Sequence, residues 1–159
     1  VWEPVQEKIL TAMREITGLD FQRNIIDVHI VSGNPRQFSR PLVIKSGYLK
    51  EEFISVLAHE LIHILLSDNE SVLPEPAELF SSYPNENQIT KNHILVHAVL
   101  KYIYWDVLNN PELLRKNLLS SQKHSTNDYT RAWEIVEEEG YKKTIEDFRK
   151  LYRFDKNIS

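Results

Sequence analysis

The sequence lacks cysteine and long hydrophobic runs. None of its 159 residues is a cysteine, which excludes disulfide bonds, thiolate ligands for zinc and cysteine nucleophiles. This absence is compatible with a cytoplasmic protein, which is the location we expect. No stretch reaches the roughly 18 consecutive apolar residues that a membrane-spanning helix requires, so we expect no membrane span.

Positive charge is also scarce. The 19 Lys and Arg residues are outnumbered by 23 Asp and Glu residues, and the formal net charge is −4. Proteins that bind nucleic acid or an anionic membrane by charge need a basic surface, so we expect neither kind of partner. The hydrophobic fraction of 42% and the charged fraction of 26% are typical of a globular protein.

The pattern of apolar residues predicts an α+β fold. Helical spacing is found over residues 3–17, whereas residues 24–32 are rich in β-branched residues and predict a strand. A second short strand follows at Leu42, Val43 and Ile44, and Pro41 at its start favours an edge position. We expect a small, mostly antiparallel sheet with helices packed on one side.

The remaining helices are expected after this sheet. One long helix is predicted over about residues 50–67, a second over about 86–109, and shorter helices over 111–152. The length suits one domain with its own core, so we expect a single domain over residues 1–159. Within it, residues 1–109 would form the scaffold of the functional site, and the more polar residues 110–159 would form a helical appendage.

The segment VLAHELIHILLS, residues 56–67, places three polar side chains in a nearly apolar helix. His59, Glu60 and His63 form the pattern H-E-x-x-H, in which both histidines lie on one helix face and can bind one metal ion. Zinc lowers the pKa of a bound water to about 7, and a neighbouring carboxylate can then take its proton. The pattern predicts metal-assisted amide hydrolysis. The alternative is two buried histidines that bond to the backbone or to a carboxylate.

A hydrolytic zinc site needs a third protein ligand and one open position. Without cysteine, that ligand must be His, Asp or Glu. The second long helix offers His93 and His97, which are four residues apart and share a face. If all four histidines bound the ion, the site would be closed and structural. Nitrogen ligands would also accept cobalt, nickel or copper.

The order of these elements resembles that of the gluzincin metallopeptidases. Their second helix usually reads N-E-x-x-x-D, in which Glu binds the metal and Asp supports a metal-bound histidine. Asn92 and His93 stand here at the Asn-Glu positions, and His97 stands at the Asp position. The chain most resembles the minigluzincins, which use histidine as third ligand and are soluble relatives of the catalytic domains of HtpX- and BlaR-type membrane peptidases. The resemblance covers about residues 25–105.

This resemblance implies a zincin-like, zinc-dependent peptidase. It assigns His59, His63 and His93 as zinc ligands and Glu60 as general base, with His97 behind a ligand or as the alternative third ligand. A peptide or protein substrate would add to the edge strand of residues 42–44.

The resemblance also implies a latent enzyme, in which the C-terminal segment covers the cleft. That segment could instead complete the core or form contacts in a homodimer. The alternative function is a non-catalytic, zinc-stabilised domain that binds or regulates a partner.

An amide hydrolase also needs a hydrogen-bond donor for the oxyanion that develops during the reaction. The sequence offers six candidates without choosing among them: Tyr83, Tyr102, Tyr104, His124, Tyr129 and Arg131. His29 lies in a predicted strand, and we expect a structural role for it.

Overall fold

The computed structural model describes residues 2–33, 38–123 and 126–152. In these ranges it contains seven α-helices and a three-stranded sheet, which confirms the α+β class. The elements are α1 Glu3–Thr17, β1 Val28–Val31, β2 Phe38–Ser39, β3 Leu42–Lys45, α2 Lys50–Asp68, α3 Pro76–Leu79, α4 Gln88–Tyr102, a π-helical segment Ile103–Val107, α5 Pro111–Ser121, α6 Asp128–Glu139 and α7 Tyr141–Leu151. None of the described helices is both long and apolar enough to cross a membrane.

The sheet is mixed and has the order β1-β3-β2. β1 runs parallel to β3, and β2 runs antiparallel to it. The sheet is therefore not mostly antiparallel, and the predicted edge position of Leu42, Val43 and Ile44 is wrong because β3 is the central strand. A substrate strand has no free edge at Leu42 and Val43, since both already pair with β1 and β2.

The burial of alternate residues of β3 fits its central position in the sheet. Leu42 and Ile44 are 3% and 0% exposed, respectively, and the strand lies against α2. By contrast, all four residues of the outer strand β1 are exposed. His29 belongs to this exposed strand, far from the core.

Helix α2 is buried on almost every side, which fits its nearly continuous apolar sequence. It begins where the Glu52 carboxylate accepts a hydrogen bond from the Leu49 backbone N–H at 3.1 Å, and acidic residues in a first turn are favoured by the helix dipole. At its other end, the Asp68 carboxylate accepts hydrogen bonds from Arg23 and Arg40. The helix is therefore held at both ends.

Helix α4 lies beside α2 and is equally central. The Asn87 side chain accepts a hydrogen bond from the Thr90 backbone N–H at 2.9 Å and caps the helix. Every residue from His93 to Leu100 is buried. The single helix predicted over residues 86–109 changes to π-helical geometry near its end, where the Leu108 N–H bonds to the Ile103 carbonyl five residues earlier.

The C-terminal helices belong to the same core as the rest of the chain. α6 and α7 pack against α4, and their side chains Trp133, Val136, Ile145 and Phe148 are buried in one cluster with residues of α1, α2 and α4. The core is thus continuous across residue 109. Removal of the C-terminal segment would expose this core, so we expect truncation to destabilise the scaffold.

Candidate metal centre

Two imidazoles of α2 meet on the helix face that packs toward α4. His59 and His63 lie one turn apart, and their Nε2 atoms are 3.2 Å apart. Two nitrogen ligands at the zinc distance of 2.0–2.1 Å are about 3.3–3.4 Å apart in a tetrahedral site. The observed separation therefore fits a shared metal ion, and it also allows one ring to donate a hydrogen bond to the other.

His93 of α4 completes a group of three imidazoles. Its ring centre is 5.2 Å from that of His59 and 5.1 Å from that of His63, and one ligand atom from each ring lies within 4.8 Å of the others. The His93 Nδ1 is 2.7 Å from the Ile89 carbonyl oxygen. Because a carbonyl only accepts, Nδ1 carries the proton and Nε2 is left to bind a metal.

The protonation state of the group also suits metal binding. Burial and, to a smaller extent, the neighbouring His93 together lower the pKa of His63 to about 4. A metal binds neutral imidazole, so a histidine that stays neutral at pH 7 needs to lose no proton. The three histidines could thus hold a metal ion, as the sequence pattern predicts.

His97 lies deeper than the other three histidines and outside the group whose ligand atoms converge. It is 1% exposed, and its ring stacks on Trp133 of α6 with centres 4.4 Å apart and an interplanar angle of 13°. Its Nδ1 has no hydrogen-bond partner among the described residues. Burial holds its pKa well below the usual value, so the ring is neutral at pH 7, and its centre is 5.6 Å from that of His93.

The Glu60 carboxyl group is buried on α2, directly after His59 in the sequence. It is 9% exposed, and burial raises its pKa to about 7. A general base works best with a pKa near the working pH. A bound dication would lower the pKa of Glu60, because it favours the charged carboxylate. The Glu60 carboxyl group can therefore gain or lose a proton near neutral pH.

Two tyrosines lie close enough to Glu60 for its charge to affect them. Burial raises the pKa of Tyr48, and the carboxyl groups of Glu52 and Glu60 raise it further. Burial likewise raises the pKa of Tyr129, and Glu60 and Asp128 add to the effect. Tyr48, in the connection between β3 and α2, was missed by sequence reasoning because no motif distinguishes it.

Among the six proposed oxyanion donors, Tyr129 of α6 is the one that contacts the three-histidine group in the described ranges. Its ring centre is 4.4 Å from that of His93. Tyr104 is fully buried and donates to the Ser55 hydroxyl at 2.9 Å, and Tyr83 donates to Glu139 at 2.8 Å. These two hydroxyls are therefore already engaged elsewhere.

The other three candidates are not part of the group. Arg131 forms ion pairs with Glu86 and Glu134. Tyr102 faces α1, where it shares a surface recess with Glu7 and Lys8. His124 lies outside the described residues.

An apolar groove opens directly from the metal group. It has a volume of about 280 Å³, and His63 forms part of its wall. The remaining wall comes from α2, the 69–75 connection, α3, α4 and α7. The groove is not predictable from local sequence patterns, because its walls come from separate segments of the chain.

Known proteins do not identify the chain. It matches no protein-family model, no curated protein and no solved structure. The resemblance to gluzincins therefore stays a prediction that rests on His59, Glu60, His63 and the histidines of α4.

Proposed function

We propose that this protein is a zinc-dependent peptidase that hydrolyses peptide bonds. The observation that carries the proposal is the convergence of His59, His63 and His93, the first two on a helix that also carries the buried carboxyl of Glu60. A purely structural metal site needs no unpaired acid at this position, where burial of its charge opposes folding. A hydrolytic site needs one to transfer protons.

Each residue has a defined task in this proposal. His59, His63 and His93 hold the zinc through one imidazole nitrogen each, and the zinc supplies Lewis acidity and a water of lowered pKa when it is bound. Glu60 takes a proton from the attacking water as the new C–O bond forms. It then gives that proton to the leaving amine nitrogen as the C–N bond breaks, so that one water is consumed for each bond cleaved.

Tyr129 is assigned the task of stabilising the oxyanion. Its phenol lies beside His93, and a raised pKa keeps the proton on the phenol at neutral pH. A protonated phenol can donate a hydrogen bond to the substrate carbonyl oxygen as negative charge develops there. Helix α6, which belongs to the predicted appendage of residues 110–159, would then supply part of the active site.

Metal removal tests the proposal directly. The protein is dialysed against a chelator and incubated with a chemically unfolded protein, and products are identified by mass spectrometry. We expect cleavage to stop when the metal is removed and to return with one equivalent of Zn²⁺. The thermal midpoint should rise with added Zn²⁺, because a ligand that binds only the folded state stabilises it. Cleavage by protein that holds no measurable metal would refute the proposal.

Substitution of Tyr129 separates catalysis from latency. Tyr129→Phe keeps the ring beside His93 but removes the hydroxyl, so we expect kcat to fall by about 10- to 100-fold with little change in KM. Tyr102→Phe is the matched control, because Tyr102 lies outside the group, and it should leave kcat unchanged. If Tyr129→Ala instead cleaves faster than the natural chain, α6 covers the site and the protein is latent.

A further inference from the structure

The groove beside His63 is built mainly from large apolar side chains. Leu95 of α4 and Phe148 of α7, each 3% exposed, form its buried floor. The half-buried walls consist of Leu66, Leu73, Leu79 and Phe80. Contact between water and such a surface is unfavourable, so an apolar group that displaces the water is stabilised there.

The floor of the groove is fixed by aromatic packing. The Phe148 ring meets Phe80 edge-on at 6.1 Å between ring centres and stacks with Tyr83 at 6.4 Å. Tyr83 is anchored in turn by its hydrogen bond to Glu139. Aromatic pairs at these distances stabilise each other, so the Phe148 ring is held in place at the floor of the groove.

Charge is confined to the margin of the groove. Glu70 and Lys91 are the charged side chains along it, and they carry opposite signs. The groove therefore has no net charge that would attract an acidic or a basic side chain. Its volume of about 280 Å³ lies close to the lower end of the range of small-molecule pockets, about 300–1,000 Å³, and is large enough for an amino-acid side chain.

We propose that this groove binds one bulky apolar side chain of a peptide, such as Leu, Met or Phe. The occupant follows from position, since His63 belongs both to the metal group and to the groove wall. A peptide whose backbone lies over the metal group can therefore place a neighbouring side chain in the groove. This inference rests on the proposed function for its choice of ligand, and it names the class of sequence that the site prefers.

Peptide binding to the Glu60→Gln protein, loaded with zinc, tests the groove without turnover. The probes are blocked pentapeptides, acetyl-Ala-Ala-Xaa-Ala-Ala-amide, with Leu, Phe, Ala or Asp at Xaa, and backbone amide chemical shifts report the affinity. We expect the Leu and Phe peptides to bind about tenfold more tightly than the Ala peptide, because burial of apolar area drives binding. The largest shifts should fall on Leu73, Leu79 and Lys91.

Two matched variants test whether the preference for Leu over Ala peptides arises in the groove. Leu79→Trp places a larger side chain in a half-buried wall and should abolish the difference between Leu and Ala peptides. Leu119→Trp makes the same change on the exposed surface of α5 and should preserve it. Equal binding of Leu and Ala peptides to the Glu60→Gln protein, or a preference that survives Leu79→Trp, would overturn the inference.

Cleavage of the same four peptides by the natural chain separates this inference from the proposed function. If no peptide is cleaved but the Leu preference and its loss in Leu79→Trp are observed, the groove is a peptide-binding site and the peptidase proposal fails. If all four peptides are cleaved at equal rates and bind equally, the peptidase proposal stands and the groove inference fails.

Discussion

Glu60→Gln should reduce peptide hydrolysis by about 10²- to 10⁴-fold, the usual contribution of a general acid–base group. Glutamine has almost the same shape as glutamate but cannot take a proton from water or give one to the leaving amine. The three histidines are unchanged, so the variant should still bind one metal ion per chain. Steady-state cleavage rates and metal analysis of the same preparation check both parts of this prediction.

Glu15→Gln is the matched control for this substitution. Glu15 is exposed on α1, so the same chemical change there should leave the rate unaltered. The thermal midpoint of Glu60→Gln should not fall, because the substitution removes an acid whose burial opposes ionisation. If both variants cleave as fast as the natural chain, Glu60 is not the base, and the non-catalytic, zinc-stabilised domain becomes the better explanation.

His93→Ala should weaken zinc binding by more than about 100-fold. Loss of a residue that only supports a ligand typically weakens metal binding by about 10- to 100-fold, and loss of a ligand should exceed this. Competition with a chromophoric chelator measures the affinity. Zinc-edge absorption spectroscopy should show one imidazole fewer in the coordination shell.

Two further variants make the His93 result specific. His29→Ala makes the same change in the exposed strand β1 and should leave the zinc affinity unaltered. His97→Phe keeps an aromatic ring against Trp133 and should retain three imidazoles around the ion. If His97→Phe loses as much affinity as His93→Ala, then His97 is also a ligand, and a site closed by four histidines would not be hydrolytic.

Local patterns were sufficient to predict α1, α2 and the two histidines that α2 brings to the metal group, but not the short helix α3. The periodicity of residues 3–17 and the apolar run around His59 and His63 set the positions of α1 and α2 within about two residues. The histidine spacing worked because a helix fixes which residues share a face. The same spacing offered His93 and His97 together, and the resemblance to gluzincins favoured His93.

Features that depend on distant parts of the chain were not predictable in this way. Leu42 to Ile44 were predicted to form an edge strand because of Pro41, and β2, only two residues long, carries no periodic signal that would have shown a second neighbour. Tyr129 could not be distinguished from the other candidate donors, since its contact with His93 joins helices that are separated by α5. The groove was also not predictable, because its lining residues are spread along the chain from His63 to Phe148.

The position of α4 affects both the metal group and the groove. His93 and Leu95 are two residues apart on this helix, and one belongs to the metal group while the other forms the floor of the groove. α7 packs against the same helix and contributes Phe148 to that floor. A shift of α4 along its axis would move the ligand and the floor together. Substitutions in α7 that retune peptide preference should therefore also change zinc affinity, although α7 supplies none of the three histidines of the metal group.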